Sequence, residues 1–279
     1  MNILFWNIRR DRKGDDGGLL LSALCNIIDE ESIDVVALAE YNMYLEQLIS
    51  RLVAEKGFTH LAKRSEKDDK VVVFYRKDKV RVAIREEMEY TTALQFQSVG
   101  SEMSINGFIC HLKSKLHSSE RAQDLIAQHY MEEVVDYEIR TRNNKTFICG
   151  DFNMSPFEMN MISANCFHAI MDAKWVSRNP SREVDKRKYF TFYNPMWGLS
   201  GDVGKGEVPG SYFYHKSNPD EYFWHIFDQV IIRPSLIEYF DSSKLKILSE
   251  GENYNLMTKN NIISGKYSDH LPICFTLNF

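Results

Sequence analysis

A single domain whose order of elements suits a sandwich of two β-sheets with helices on both outer faces is what this sequence predicts, and three observations lead there. An apolar strand, a helix and a second strand open the chain, strands that read as hairpins follow, and the same succession then begins again. An apolar share of 44% in 279 residues is ample for a sizeable core. Candidate site residues run from Asn7 to His270, so both ends of the chain must meet at one pocket, which two independent domains would not require. The expectation is one domain over residues 1–279, with a loop-rich insertion around 175–225.

Met1 to Trp6 reads as an apolar strand ending at Asn7, followed by the charged turn Arg9 to Asp16 and the breaker Gly17-Gly18. Leu20, Leu21, Leu24, Ile27 and Ile28 then recur at helical spacing. Ile33 to Leu38 is a continuous, largely β-branched run, expected for a strand covered on both faces, and it delivers Glu40. Tyr44, Leu45, Leu48, Leu52 and Val53 make a second amphipathic helix. Lys70 to Tyr75 and Val80 to Ile84, joined by Arg76 to Lys79, read as a hairpin. A second strand pair spans Tyr90 to Phe96 and Ser104 to Leu112.

From Ser118 to about Arg140, Ala122, Leu125, Ile126, Tyr130, Val134 and Tyr137 mark a long helix with one mostly apolar face, where His129 reads as a core or boundary imidazole. Thr146 to Cys149 is a short strand that runs into a glycine turn at Gly150 and presents Asp151 and Asn153 on one side, with Phe152 on the other. Pro156 closes it and opens a helix. Between Trp175 and His225 periodicity fails, although the aromatic content favours an ordered segment. Lys186, Arg187 and Lys188 beside Tyr189 either grip a strand by charge and stacking or keep an exposed loop soluble. Strands resume at Phe223 to Ile232, Leu245 to Leu248 and Pro272 to Asn278, and no internal repeat is evident.

A net charge of -5 argues against a general polyanion-coating protein, but an enzyme acting on nucleic acid needs only a local basic strip. Cys25, Cys110, Cys149, Cys166 and Cys274 form no CxxC pair and read as buried thiols. Their odd number, and the lack of an apolar amino-terminal stretch, point to a reducing cytoplasmic setting. No run approaches the roughly 20 apolar residues that cross a bilayer.

Gly150-Asp151-Phe152-Asn153 after a strand is by itself an ordinary turn composition. Its company changes the reading: Phe5-Trp6-Asn7, Ala39-Glu40, Cys110-His111 and Ser268-Asp269-His270-Leu271-Pro272 each put an acid, amide or imidazole at a strand end, and Ile226 to Val230 sets Asp228 inside a strand. This order resembles the endonuclease/exonuclease/phosphatase superfamily over nearly the full length, the deoxyribonuclease-like and bacterial nuclease-like members in particular. The resemblance implies an α+β fold, a deoxyribonuclease I-like α/β/β/α four-layer sandwich of two packed mixed sheets flanked by helices, with the pocket at one end.

The resemblance also implies the chemistry, a metal-assisted in-line attack of water on a phosphodiester bond. Glu40 and Asp269 would hold Mg2+, with Mn2+ a possible substitute, and Asn7 would assist directly or through a bound water. His270 would be the general base or an electrostatic partner of the phosphate, its tautomer fixed by Asp228, with Asp151 the competing base. Asn153 would steady charge that grows in the transition state. His111 is histidine, as in the deoxyribonuclease-like and sphingomyelinase-like groups, and Asp69, with Glu66 and Asp68 as neighbours, falls where an acid orients it. Arg9, Lys113 and Lys115, with Arg10 and Arg121, would line a phosphate track on a nucleic acid. Alternatives are a phosphatase or phosphodiesterase for a lipid headgroup, inositol phosphate or nucleotide, and a binding member of the fold that has lost catalysis.

Overall fold

The computed structural model describes residues 1–9, 17–41, 44–62, 71–114, 120–203, 207–215, 219 and 221–279. The chain opens with β1 (Asn2–Asn7), α1 (Gly18–Glu30) and β2 (Val35–Ala39), so the crossover helix returns the chain to a parallel neighbour of β1. A short α2 (Leu45–Leu48) continues as the wider π-helical turn Ile49–Glu55 and leads to β3 (Thr59–His60) and β4 (Val71–Tyr75). Next come β5 (Val80–Glu87), β6 (Thr92–Ser98) and β7 (Ile105–His111), then the long helix α3 (Glu120–Thr141) and β8 (Thr146–Asp151). The remainder comprises α4 (Met159–Ile162), β9 (Ala169–Ile170), α5 (Ala173–Arg178), β10 (Ser181–Val184), β11 (Arg187–Phe190) and β12 (Phe192–Tyr193). After these come β13 (Tyr212–Phe213), β14 (Trp224–His225), β15 (Asp228–Ile232), β16 (Phe240–Ile247) and β17 (Ile273–Leu277).

These strands form two principal mixed sheets, ordered β16-β17-β1-β2-β4-β3 and β5-β6-β7-β8-β15-β12-β9. Strand alternation sorts the side chains of the second sheet between two cores. Phe147 and Cys149 on β8, Phe96 on β6 and Val230 and Ile232 on β15 face the first sheet, and the rings of Phe147 and Phe275 meet at 5.7 Å. Ile148, Phe108 and Ile231 point the other way and pack under α3 through Ala127, Tyr130, Met131, Val134 and Tyr137. On the far side α1 covers the first sheet with Leu20, Leu24, Ile27 and Ile28. The result is the helix-sheet-sheet-helix layering expected from the sequence.

Several local expectations are corrected. Val71–Tyr75 and Val80–Glu87 do not form a hairpin: β4 lies between β2 and β3 in one sheet, β5 pairs with β6 in the other, and the turn at Arg76 to Lys79 carries the chain between layers. Both edges of β4 are already occupied. Pro156 lies in a turn, and the helix begins only at Met159. On α3 the buried stripe is rotated from the one read off the sequence, leaving Leu125 48% exposed and His129 exposed and bonded to the Tyr90 hydroxyl at 3.0 Å. The stretch after Trp175 is no plain loop; it holds the hairpin β10–β11, adds β12 to the second sheet and returns as the hairpin β13–β14. Cys110, Cys149, Cys166 and Cys274 are buried, Cys25 is partly so, and all five thiols are free. Among the described residues no helix is long and apolar enough to cross a membrane.

Gly150 is not a turn. It sits inside β8, opposite Cys110 on β7 and Gln229 on β15, and a Cβ there would meet the Cys110 carbonyl oxygen at 2.0 Å. Gly150→Ala is expected to cost about 3 kcal/mol, because the obstacle is backbone that cannot swing aside. Gly198→Ala, where a Cβ meets nothing within 4 Å, should stay within about 0.5 kcal/mol. Urea midpoints at unchanged slope would check both.

Candidate active site

Strand register builds the site's centre. Parallel pairing of β7 with β8 sets His111 opposite Asp151, and antiparallel pairing of β8 with β15 sets Asp228 opposite the same Asp151. Asp228 therefore opens its strand and does not sit inside it, contrary to the sequence reading. In the other sheet β1 ends at Asn7 beside Ala39 of β2, so Glu40 follows directly. Ser268 to Pro272 precede β17, and because β17 runs antiparallel to β1 its beginning lies at the carboxyl end of β1. Ends of both sheets thus meet at one rim.

Hydrogen bonds join these residues across long sequence separations. The Asn7 Nδ2 donates to Asp151 Oδ2 at 3.0 Å and to Glu40 Oε1 at 3.3 Å, while Asn7 Oδ1 accepts from the Arg9 backbone N–H at 3.1 Å. The amide expected to assist a metal is thus a brace between two carboxylates. His111 Nε2 lies 3.4 Å from Glu40 Oε1 and 3.8 Å from Asp151 Oδ2. His270 Nδ1 lies 2.8 Å from Asp228 Oδ2, and its Nε2 lies 3.9 Å from Asp151 Oδ2. Asn153 donates its backbone N–H to Asp151 Oδ1 at 2.8 Å and its Nδ2–H to the Leu112 carbonyl at 2.9 Å.

Three positioning residues were not singled out from the sequence. The Ser268 hydroxyl donates to the Asn7 carbonyl at 2.6 Å and accepts from the His270 backbone N–H at 3.1 Å. The Trp6 indole donates to the His270 carbonyl at 2.9 Å, and the Ser211 hydroxyl accepts from the Asp228 N–H at 3.1 Å. Ser268 and Trp6 lie inside the motifs Ser268-Asp269-His270-Leu271-Pro272 and Phe5-Trp6-Asn7, which was the available signal; Ser211 had none. Glu40 and Asn153 hold positive φ, 54° and 52°, a backbone region costing about 1–3 kcal/mol for a residue such as Glu.

The group forms the floor of an open cavity of about 1400 Å³, whose lining includes Glu40, His111, Asp151, Asn153, Asp269 and His270, with Arg9 and Lys113 adding positive charge. The Arg9 guanidinium also lies 3.6 Å from Glu40 Oε2. Lys115, Arg10 and Asp69 lie outside the described residues, as do Glu66 and Asp68. His111 Nδ1 is buried without a partner among the described residues.

Charge is distributed unevenly. Burial alone would depress the His270 imidazole, but Asp228, then Asp151 and Asp269, outweigh it and push the group up to about 10. Burial raises Asp151, with Asp228 adding to the rise and His270 and His111 opposing it. Burial likewise raises Asp269, whose Oδ1 is buried without a partner among the described residues and whose charge is further opposed by Glu40. Glu40 moves the other way: burial would raise it, but His111, Asn7 and Arg9 hold it below the usual carboxylate range.

Two sets of groups are therefore suited to a divalent cation. Asp151, Asp228 and His270 place ligand atoms within 4.8 Å of one another, yet their His270–Asp228 contact is already an intimate hydrogen-bonded pair. Glu40 and the orphaned Asp269 oxygen offer oxygen ligands only, the preference of a hard cation that keeps its waters. Both carboxylates line the same cavity, and the charge of Glu40 is among the causes that raise Asp269.

The profile of the Endonuclease/Exonuclease/phosphatase family matches residues 4–270. No curated protein sequence matches the chain. Among solved structures, an endonuclease/exonuclease/phosphatase family protein from Bacteroides thetaiotaomicron is 16% identical, superposes with a TM-score of 0.62, and covers 99% of this chain and 97% of its own. A mannosyl-6-phosphatase from Bacteroides thetaiotaomicron is 16% identical, with a TM-score of 0.60 and 100% coverage of both chains. TDP2 from D. rerio, solved with a single-strand DNA product, is 17% identical, with a TM-score of 0.58, covering 100% of this chain and 99% of its own. At these identities the likeness establishes the fold.

A raised histidine makes stability depend on pH with a definite sign. His270 titrates near 6.5 when free and near 10 when folded, so its pairing stabilises fully below about 6.5 and that contribution is lost as pH climbs through about 10. Asp228→Asn removes the principal counter-charge and should move the His270 titration down toward neutrality, flattening this dependence. Proton NMR of the metal-free imidazole would check it; a titration still near 10 in the variant would assign the counter-charge to Asp151.

Proposed function

Because this chain belongs to the endonuclease/exonuclease/phosphatase family, whose profile spans residues 4–270, we propose that it hydrolyses phosphodiester bonds of nucleic acid with the help of Mg2+. The observation that carries the proposal is the convergence of Asn7, Glu40, His111, Asp151, Asp228 and His270 through contacts of 2.8 to 3.9 Å on one cavity floor. Such a set of oxygens and imidazoles, drawn from both sheets, has no structural purpose that apolar residues would not serve better.

Glu40 and Asp269 would hold the cation, with Mn2+ as a substitute. Bound there, it would neutralise the nonbridging oxygens of the phosphate. Asn7 keeps Glu40 and Asp151 apart at fixed spacing. The buried Asp228 carboxylate 2.8 Å from His270 favours the imidazolium, so His270 faces the phosphate as a proton-bearing donor, and the base is assigned to Asp151. Asp151 is made basic by burial, and its Oδ1 is anchored by the Asn153 N–H. It would take the proton of the attacking water as the new P–O bond forms and the P–O bond opposite it breaks, the charge on the leaving oxygen being met by the proton-bearing His270. His111 and Asn153 supply further donors at the growing negative charge. Arg9 and Lys113 meet flanking phosphates.

A second reading, a phosphatase on a small phosphoester, is favoured by the mannosyl-6-phosphatase among the superposable structures and by the open cavity. Both readings share the same chemistry and differ in what surrounds the phosphate.

Purified protein with Mg2+ is expected to degrade plasmid or single-stranded DNA, and EDTA to stop it. His270→Ala and Asp151→Asn should each lower kcat by about 100- to 10,000-fold, with Asp151→Asn losing far less in folding stability than in turnover. Intact nucleic acid beside rapid phosphate release from a sugar phosphate would instead favour the second reading.

A further inference from the structure

An unbroken run of aromatic rings leads from the catalytic imidazole to the cavity mouth. The Tyr212 ring lies 4.7 Å from His270, Phe227 stacks on Tyr212 at 5.2 Å, and His225 stacks on Phe227 at 4.7 Å. Tyr222 then meets His225 edge-on at 6.1 Å, and Phe157 meets Tyr222 at 5.8 Å. All of these residues line the cavity that holds the site. The inner rings are packed, whereas the last two are open: Phe157 is 44% and Tyr222 69% exposed. Large rings left in water at the mouth of a polar cavity are the feature of a surface that awaits a partner.

The loop that presents Tyr222 is held in an uncommon conformation. Phe223 has φ of 66°, and the Trp224 N–H donates back to the Tyr222 carbonyl at 2.8 Å, the pattern of a tight three-residue turn that non-glycine residues seldom adopt. Glu221 pins it. Its Oε1 accepts from the backbone N–H of Tyr222 at 2.9 Å and of Phe223 at 3.3 Å, and lies 2.7 Å from His225 Nε2. That oxygen is thus spent on holding the rings in place.

On this basis we propose that Phe157 and Tyr222 form a stacking subsite for an unpaired nucleobase joined to the scissile phosphate. The proposal rests on the nucleic-acid reading given above and narrows it to single-stranded or frayed substrates. A base needs only ring faces to stack on, and Phe157 and Tyr222 are the exposed rings of this wall. A base still paired in a duplex keeps its faces covered by its neighbours and cannot enter. Arg9 and Lys113, on the same cavity, would follow the backbone.

The test compares fluorescein-labelled oligonucleotides that carry bases with ones carrying abasic tetrahydrofuran residues, and single strands with flush duplexes. Binding is read by anisotropy with Mg2+ in the catalytically disabled Asp151→Asn background, and cleavage by kcat/KM in the active protein. The disabled protein should prefer base-bearing over abasic single strands, and that preference should fall at least about tenfold in Phe157→Ala/Tyr222→Ala. Phe157→Tyr and Tyr222→Phe, which keep the rings, should retain it, which separates stacking from misfolding. Equal binding of abasic and base-bearing strands, a preference that survives loss of both rings, or tighter binding of duplex would each overturn the subsite. If the active protein cleaves oligonucleotides under those outcomes, the nuclease reading stands alone. If it neither binds nor cleaves any oligonucleotide but hydrolyses mannose 6-phosphate, both readings fall.

Discussion

The site depends on three strands lying in exact register. His111, Asp151 and Asp228 fall abreast on β7, β8 and β15, and their spacing is that of neighbouring strands. A slip of one residue in either pairing would turn one of the three to the opposite face of the sheet. Gly150 permits the close approach of β8 to the β7 backbone, just one residue before the carboxylate that both neighbours address. The first sheet must then meet this row from the other side. Asn7 does so directly, donating from the end of β1 to Asp151, so the two layers are tied at the place where they share the site.

Electrostatics explains why the arrangement is tolerable and why it is useful. Asp151 and Asp228 are 1% and 0% exposed, and two such carboxylates would repel each other at a cost of several kcal/mol without a positive partner. His270 supplies it. The imidazolium is stabilised by the very acids whose charge it offsets, which is why its titration rises despite burial. The balance is incomplete, for Asp228 Oδ1 and Asp269 Oδ1 remain buried without partners among the described residues. Such oxygens carry an uncompensated burial cost that a cation or a hydrogen-bond donor would relieve.

How much of this could be read from the sequence follows from how local each signal is. Strand-end residues were legible, because a short apolar run with a polar terminus is a local pattern: Asn7, Glu40, His111, Asp151, Asp269 and His270 all reach the cavity floor or its immediate support. The supposed hairpin of Val71–Tyr75 with Val80–Glu87 failed because sheet membership is decided by partners far along the chain, and proximity in sequence says little once a strand has both edges occupied. Leu125 misled for a similar reason, since a helix face is chosen by what lies beneath it. The aromatic wall was least legible. Phe157, Tyr212, Tyr222 and Phe227 come from separate turns and strands, and no spacing rule joins them before the chain is folded.

That wall and the His270–Asp228 pair are joined by hydrogen bonds. Ser211 accepts the Asp228 N–H through its hydroxyl and the Leu271 N–H through its carbonyl, so a single residue fastens the segment before β13 to both sides of the His270–Asp228 contact. The next residue, Tyr212, bridges to His270 in the backbone and lies against its ring. His225, paired with Tyr212 across β13 and β14, carries the connection to Glu221 and Tyr222. Displacing the rim loop would therefore pull on the strand pair that fixes the imidazole. Hydrogen bonds thus run without a break from Glu221 at the rim to His270 at the floor.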